Sequence, residues 1–512
     1  MAKTRPPGTS LSSIHAIVRA LIPFVLLAFA EGIIFFRNPE RFFNGDTLFW
    51  LWNRHHTFFD FIEGFTKLDP AFWYRPLSQR TIESLLFPFA GLNPIPYRMV
   101  GFALFFACTV ELFFFVLRLT ESRRLAWFTV LVFMPHLVHK FTTYDVAFTP
   151  DLFLMLFSLG SATAYLRFLR TGDRASLVAS ALLLAGSLLS KESAVGLPFA
   201  LLSIWFFAPG ERRASPVSLM PHFLILSIYL FLLFGVLHVW NLQIGHVLGW
   251  LPQGPSGGYE FGGGAHVVEN LRIAFSWIFG IPAGMHGQWI FGAPWIPAML
   301  SSLRTAACVV AILVLFSAQR KFLLLGICWF LAMLAPAVLL KTHFLPYYLS
   351  VPLAGIAIAG GVLLDWVYAH VAKISPYASM AVASLILAGW TKGQVNPANR
   401  LAPSHSMLGG AATASRLALE DVRRVYPALP EGAELILFNE GLPAAVTDHA
   451  FGLLFKLAYD DPGLVVRYAT MGLPAGLRAR IDPGKVFAFK WQQGHFVDVT
   501  GSVRQQPALW LP

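Results

Sequence analysis

Long apolar runs recur along the first 390 residues, at 15–36, 98–118, 125–140, 148–168, 175–190, 193–209, 218–240, 296–317, 322–340, 346–367 and 375–390. About 20 apolar residues in a helix match the hydrocarbon thickness of a bilayer. A lone segment there must pair its own N–H and C=O groups, which leaves the helix as its form. The pattern predicts an α-helical polytopic membrane protein with about eleven transmembrane helices. Charged residues make up only 13% of the chain, about half the share that a water-facing surface needs. The 47 phenylalanines point the same way. Glu31, Arg37 and Arg41 stand where a signal peptide would carry a small-residue cleavage site, so the first run reads as a retained helix.

The formal net charge is +11. In a soluble chain that would suggest nucleic acid. Here the basic residues cluster between the apolar runs: Arg118, Arg123 and Arg124; Arg167, Arg170 and Arg174; Arg212 and Arg213; Arg320 and Lys321; Lys373. Every second loop is basic, which places those loops in the cytoplasm. The N-terminus is then inside, the C-terminus outside, and no nucleic-acid partner is expected. Cys108, Cys308 and Cys328 all lie in apolar runs, with no CxxC, so neither a disulfide framework nor a Cys/His zinc site is implied.

Two outside connections are long, 37–97 and 241–295. Within the first, 47–66 interleaves Phe and Trp with Arg54, His55, His56, Asp60 and Glu63, the pattern of a helix lying in the membrane interface. The stretch 81–91 is apolar but too short to cross, and 266–281 reads as a further interfacial helix. After Trp390 the composition returns to that of a soluble protein. The segments 434–439, 464–468, 485–491 and 495–499 read as strands, and 412–426 and 446–459 as amphipathic helices. A small C-terminal α/β soluble domain, 405–512, is expected, joined to the membrane module 1–390 by a linker at 392–405 that is rich in Pro, Asn and basic residues.

Ionisable groups near membrane depth are costly and are functional candidates. Several collect at the outer ends of the predicted spans: Asp46 in Asn44-Gly45-Asp46, Arg75 in Tyr74-Arg75-Pro76-Leu77, Asp145 and Asp151, the pair Lys191-Glu192, Arg304, then Lys341, His343, Tyr347 and Tyr348. Taken singly, each can be a helix cap or a snorkelling side chain. Together they place acids and bases on one face beneath an aromatic loop. His55-His56 is the one histidine pair, and adjacent side chains on a helix diverge, so no metal cofactor is indicated.

Five stretches, in order, resemble the GT-C class of membrane glycosyltransferases. They are the acid after the first span (Asp46), YRPLSQRTIESLLFPFAGLNPIPYR (74–98), Thr149-Pro150-Asp151, LLSKESAVGLP (188–198) and HFLPYYLSVPLAG (343–355). The dolichyl-phosphate-mannose protein mannosyltransferases and the bacterial lipid A aminoarabinose transferases are the groups most resembled. The resemblance covers about residues 15–365. It implies transfer, with inversion, of a sugar from a polyprenyl-phosphate carrier to a protein or lipid acceptor on the outer face of a bacterial inner membrane. Asp46 would be the base, with Asp145 and Asp151 as further catalytic acids. Arg75, Lys191, Glu192, Arg304, Lys341, His343 and Tyr347 would bind substrate. Many relatives carry two adjacent acids in the first loop; here Gly45 and Thr47 flank Asp46. Two other classes suit a polytopic chain. A transporter or lipid flippase should show matched halves with broken spans at mid-membrane. In a non-catalytic membrane scaffold these residues would be dispensable.

Overall fold

The computed structural model describes residues 11–36, 42–43, 45–69, 73–208, 215–237, 261–279, 295–341, 344–400, 407–438, 440, 450–469, 473, 477 and 482–510. Its helices in chain order are α1 (Leu11–Phe35), α2 (Gly45–Trp52), α3 (Phe58–Glu63), α4 (Thr81–Ala90), α5 (Pro94–Thr120), α6 (Arg123–Phe133) and α7 (His139–Tyr144). There follow α8 (Thr149–Thr171), α9 (Arg174–Ser190), α10 (Leu197–Phe207), α11 (Met220–Phe231), α12 (Ala265–Ile278), α13 (Trp295–Leu315), α14 (Arg320–Val338), α15 (Leu353–Ala372) and α16 (Pro376–Arg400). Each apolar run of the sequence carries a helix. Among the described residues, five helical stretches are long and apolar enough to cross a membrane: Pro94–Thr120, Val146–Thr171, Pro216–Val236, Arg320–Val338 and Leu353–Ala372. Large apolar side chains such as Val25, Phe29, Leu182, Phe206, Leu224 and Phe231 lie exposed on the outside of the bundle. Lipid solvates such a surface and water does not, so the chain is an integral, multi-pass membrane protein.

Caps set where the helices begin and end. Asn93 accepts a hydrogen bond from the Ile95 N–H and Pro94 opens α5. Gly172, at φ 72°, closes α8, and Asp173 accepts from the Ala175 N–H to start α9 at once. The resulting hairpin is held inside the bundle by short hydroxyl contacts. Ser158 and Ser187 meet at 2.8 Å, and Ser161 donates to the Ser180 carbonyl at 2.8 Å. Such contacts tie helices together where lipid gives no hydrophobic drive between them. Gly326 and Gly355 bring α14 and α15 so close that a Cβ on either would strike the other's carbonyl oxygen. At the end of the bundle that carries the basic loops, Arg124 donates to the buried Asp365 at 2.5 Å and Gln319 donates to the same carboxylate at 2.8 Å.

Three expectations are corrected. The run 125–140 is not one helix: it breaks after Phe133, next to Pro135, which has no N–H to continue the ladder, and turns helical again only at His139. The stretch 47–66 is two helices, not one. Asn53 and Arg54 donate to the last carbonyls of α2, and Thr57 with Asp60 forms a capping box that starts α3. The linker expected at 392–405 is helical as far as Arg400. There Trp390 donates to the Val132 carbonyl, and the buried Gln394 donates to the Ile278 carbonyl and accepts from the Leu137 N–H.

Beyond residue 406 lie α17 (Met407–Val425), β1 (Glu434–Phe438), α18 (Ala450–Tyr459), β2 (Val465–Tyr468), β3 (Val486–Gln492), β4 (His495–Asp498), α19 (Thr500–Gln505) and α20 (Pro507–Trp510). The sheet order is β2-β1-β3-β4, with β1 parallel to both neighbours and β4 antiparallel to β3. Gln493 and Gly494, both at positive φ, make the tight turn of the hairpin. α17 is pinned to the hairpin through Asp421, which accepts from the Phe496 N–H at 2.8 Å. The core of this unit is not closed on itself. Leu435, Leu437, Leu454, Phe455 and Phe489 share one cluster with Leu48 and Leu51 of α2, Ile82 of α4 and Tyr97 of α5.

Candidate active site

The segment 74–80 is laid against the end of α9 by two bonds. The Leu77 N–H donates to the Leu189 carbonyl at 3.2 Å, and the buried Ser78 hydroxyl donates to the Ser190 carbonyl at 2.6 Å. This brings Arg75 beside Glu192, to which it donates twice, Nε at 2.8 Å and a terminal nitrogen at 2.6 Å. A two-pronged guanidinium–carboxylate pair fixes both planes. The same guanidinium lies over the Trp73 ring, 4.5 Å from its centroid. At Lys191 the backbone leaves the helix of α9 for an extended conformation. Its Nζ donates to Asp151 Oδ2 at 2.6 Å, with both side chains nearly excluded from solvent. The rings of Tyr347 and Tyr348 sit 4.9 Å and 5.1 Å from the same nitrogen.

These groups line a cavity of about 80 Å3. Asp151, Ala147 and Phe148 come from the start of α8, Lys191 from the end of α9, Arg75 and Gln79 from the docked segment, and the two tyrosines from the turn before α15. The remaining wall is α2. Asp46 and Trp50 are one helical turn apart and both face the cavity, while Leu48 and Leu51, fully buried, face away from it. Asp46 is solvent-exposed and lies in the first turn of α2. The next residue, Thr47, donates from its hydroxyl to Asp145 Oδ1 at 2.5 Å. Burial pushes the Asp145 carboxyl up to about 6; the hydroxyl of Thr47 opposes the rise and the charge of Asp46 adds to it. A second acid is thus held close behind Asp46 by Thr47, although Asp145 lies 98 positions from Thr47 in the sequence.

Of the residues singled out from sequence, Asp46, Arg75, Asp151, Lys191 and Tyr347 converge on the cavity. Glu192 and Asp145 stand directly behind its walls. Arg304 is exposed on α13 and Lys341 is exposed after α14; neither lines the cavity. His343 lies outside the described residues. Lys191 and Glu192 do not pair with each other, since adjacent side chains diverge; each has a partner from elsewhere in the fold. Sequence reasoning did not single out Trp50 or Gln79 for the site. Trp50 carried a signal, the helical spacing of four from Asp46. Among the described residues no three His, Cys, Asp or Glu side chains are grouped to hold a metal ion.

The arrangement can bind an anion and move a proton. Lys191 has N–H donors beyond the one given to Asp151, Arg75 stands beside it, and a carboxylate faces both across the cavity.

No protein-family model matches the chain, and no curated protein matches it. Solved structures do. ArnT from Cupriavidus metallidurans, determined bound to undecaprenyl phosphate, aligns with a TM-score of 0.52 at 13% identity, over 96% of this chain and 95% of that one. The oligosaccharyltransferase of Archaeoglobus fulgidus in its apo form aligns with a TM-score of 0.50 at 11% identity, over 87% of this chain and 64% of its own. Both are GT-C class membrane glycosyltransferases, and the chain shares their fold.

Proposed function

We propose that the protein is a glycosyltransferase that moves a sugar from a polyprenyl-phosphate carrier to an acceptor at the outer face of a cytoplasmic membrane. The observation that carries the proposal is one cavity with an exposed carboxylate, Asp46, on one wall and the cations Lys191 and Arg75 on the other. In this mechanism Asp46 takes the proton of the acceptor hydroxyl as its oxygen attacks the anomeric carbon. The bond from that carbon to the carrier phosphate breaks, with inversion. The departing phosphate gathers negative charge. Fixed cations stabilise that charge more than they stabilise the intact donor, which is what accelerates the step. Asp151 and Glu192 hold the two cations in place. Tyr347 closes the same wall. Arg304 and Lys341 belong to this proposal as more distant carrier contacts, and His343 as a further substrate-binding residue.

All eleven apolar helices cross the bilayer in this reading, with the N-terminus inside. The unit 405–512 is an outer-face accessory domain that covers the cavity and favours the right acceptor. The relatives in fold support the donor class: ArnT was solved with undecaprenyl phosphate. The test is direct. Purified protein is incubated with undecaprenyl phosphates carrying labelled sugars, together with membrane extract as acceptor, and the label is followed. Transfer of label out of the lipid is expected for one sugar class. Retention of label in every donor, by folded protein, would remove the proposal.

A further inference from the structure

Behind the Asp46 wall lies a third carboxyl group, Glu83. It is the third residue of α4, a position where a glutamate ordinarily turns back to cap its own helix and stays in water. Here the residue before the helix is Arg80, held at φ 69°, and it makes no side-chain cap. Glu83 turns inward instead. It is 0% exposed, and neither of its carboxyl oxygens has a hydrogen-bond partner. An ionised carboxylate so placed, with no donor from another described residue, carries a desolvation cost that the group escapes by keeping its proton.

Its surroundings are defined on each side. Asp145, held by Thr47, approaches from the turn before α8, and Arg80 from the residue that precedes α4. Tyr97 of α5 is near enough to feel the charges of both Glu83 and Arg54, with its hydroxyl committed to the Gly91 carbonyl at 3.0 Å. Arg98 of α5 is committed to the carbonyls of Tyr144 and Phe42, at 3.2 Å each. Asp46 is next in line, through Asp145. Asp46 at the cavity, Asp145 behind it and the buried Glu83 thus form one electrostatically coupled acidic group. Three carboxylates so arranged do not all ionise together.

We propose that Glu83 is a pH-sensitive element of the donor site: it holds a proton at neutral pH and, on losing that proton to solvent in the alkaline range, adds a negative charge behind Asp46 that weakens binding of an anionic phosphate carrier. The proton-bound form fits the isolation of the side chain. Burial lifts the Glu83 carboxyl to about 8; the residue's own backbone N–H opposes the rise, Asp145's charge adds to it and Arg80's opposes it. The proposal rests on the reading of the cavity as a site for a phosphate-linked donor, but one half of its test does not.

That half is spectroscopic. Glu83→Gln keeps the shape and neutrality of the protonated group. The infrared band of protonated carboxyl groups is recorded between pH 7 and pH 9 in wild-type protein and in E83Q, both in lipid nanodiscs. Other buried carboxyls, Glu31 among them, contribute equally to both and cancel in the difference. Wild type is expected to show a loss of band on alkalinisation that E83Q lacks. A second variant, Asp145→Asn, removes the neighbouring charge and should move that loss to lower pH. Identical spectra for wild type and E83Q, or a midpoint unmoved in D145N, would overturn the proposal.

The other half is kinetic. The KM for an undecaprenyl-phosphate sugar should rise several-fold in wild type from pH 7 to pH 9 and stay level in E83Q. The same rise in both proteins would overturn the switch. No transfer by wild type at any pH would count against the enzyme reading alone, and the infrared result would still decide the state of Glu83.

Discussion

Deleting Lys191 leaves Asp151 buried without its cation, and this makes the residue harder to probe than its sequence neighbourhood suggests. Breaking one side of a buried ion pair costs about 3–5 kcal/mol. Lys191→Met alone is therefore expected to lower thermal stability as well as binding of polyprenyl phosphate. The pair K191M with D151N removes both charges and should recover most of the melting temperature without recovering carrier binding. If the double variant binds the carrier as wild type does, the pair is structural. Asp46 is simpler, because it is exposed. Asp46→Asn keeps its shape and removes its basicity, and turnover is expected to fall about 10²-fold or more at unchanged protein level. Near-normal turnover in the labelled-sugar assay would transfer the role of base to Asp145. That acid has a signature of its own. Its carboxyl sits at about 6 in the fold, against an ordinary value of about 3.9. The folded protein then holds this proton more tightly than the unfolded chain does. The group's contribution to stability is present below pH of about 4 and is lost as pH rises through about 6. Asn cannot ionise, so the melting temperature of Asp145→Asn relative to wild type is expected to climb between pH 4 and pH 7. A difference that stays flat across that window would mean that Asp145 titrates like an ordinary aspartate.

The element that joins the two parts of the molecule is α2, only eight residues long. One face presents Asp46 and Trp50 to the cavity; the other sinks Leu48 and Leu51 into the core formed by α18 and the sheet. Lys456 of α18 reaches over the Trp52 ring at 5.7 Å. A helix this short has little stability of its own, so its placement depends on what it packs against. A chain ending at residue 404 is expected to retain polyprenyl-phosphate binding, since Lys191 and Arg75 are held within the membrane module, and to lose most turnover as Asp46 loses its support. Phe455→Ala in the full chain should do the same in milder form, at a cost of about 3–5 kcal/mol. If the truncated protein lost carrier binding as well, the C-terminal unit would belong to the donor site. The limits of the sequence are visible in this same element. Periodicity places the long helices, all four strands and the candidates Asp46, Arg75, Asp151 and Lys191, because apolar runs and strand alternation are local signals. It does not show that 47–66 breaks at Asn53–Thr57, since that break is set by caps a few residues long. Nor does it pair Lys191 with Asp151, 40 residues away, or Thr47 with Asp145, 98 away. Those contacts exist only once α2, α8 and α9 meet, and the burial of Glu83 likewise needs α4 packed against α2 and α5.

At the scale of the whole molecule, charge and chemistry divide between the two ends of the bundle. Chain direction shows it. α5 begins near the docked segment and ends at Arg118; α8 begins at the cavity and ends near Arg170; α9 returns from Arg174 to Lys191; α14 starts at Arg320 and α15 ends beside Lys373. The basic residues thus gather at the end opposite the cavity, knitted by Arg124 to Asp365 and Arg170 to Glu121. Lys and Arg in short loops stay on the cytoplasmic side during insertion. The cavity, α2 and the C-terminal sheet are then expected on the outer side, where Arg37 and Arg41, just after the first apolar run, are among the basic residues that run against the bias. Because the basic loops recur at every second connection, these residues have less weight than the series. Alkaline phosphatase folds to an active enzyme only when exported, so it reads the question at chosen points. Fused after residue 400 it should be active, and fused after residue 210, beside Arg212 and Arg213, it should be inactive. The opposite pattern would turn the molecule over and put the acceptor in the cytoplasm. Inactivity at both points would instead mean that an odd number of the apolar helices between them fails to cross, and α13 and α16, which lie between the two points and outside the five stretches long and apolar enough to cross, would be the first to test with further fusions.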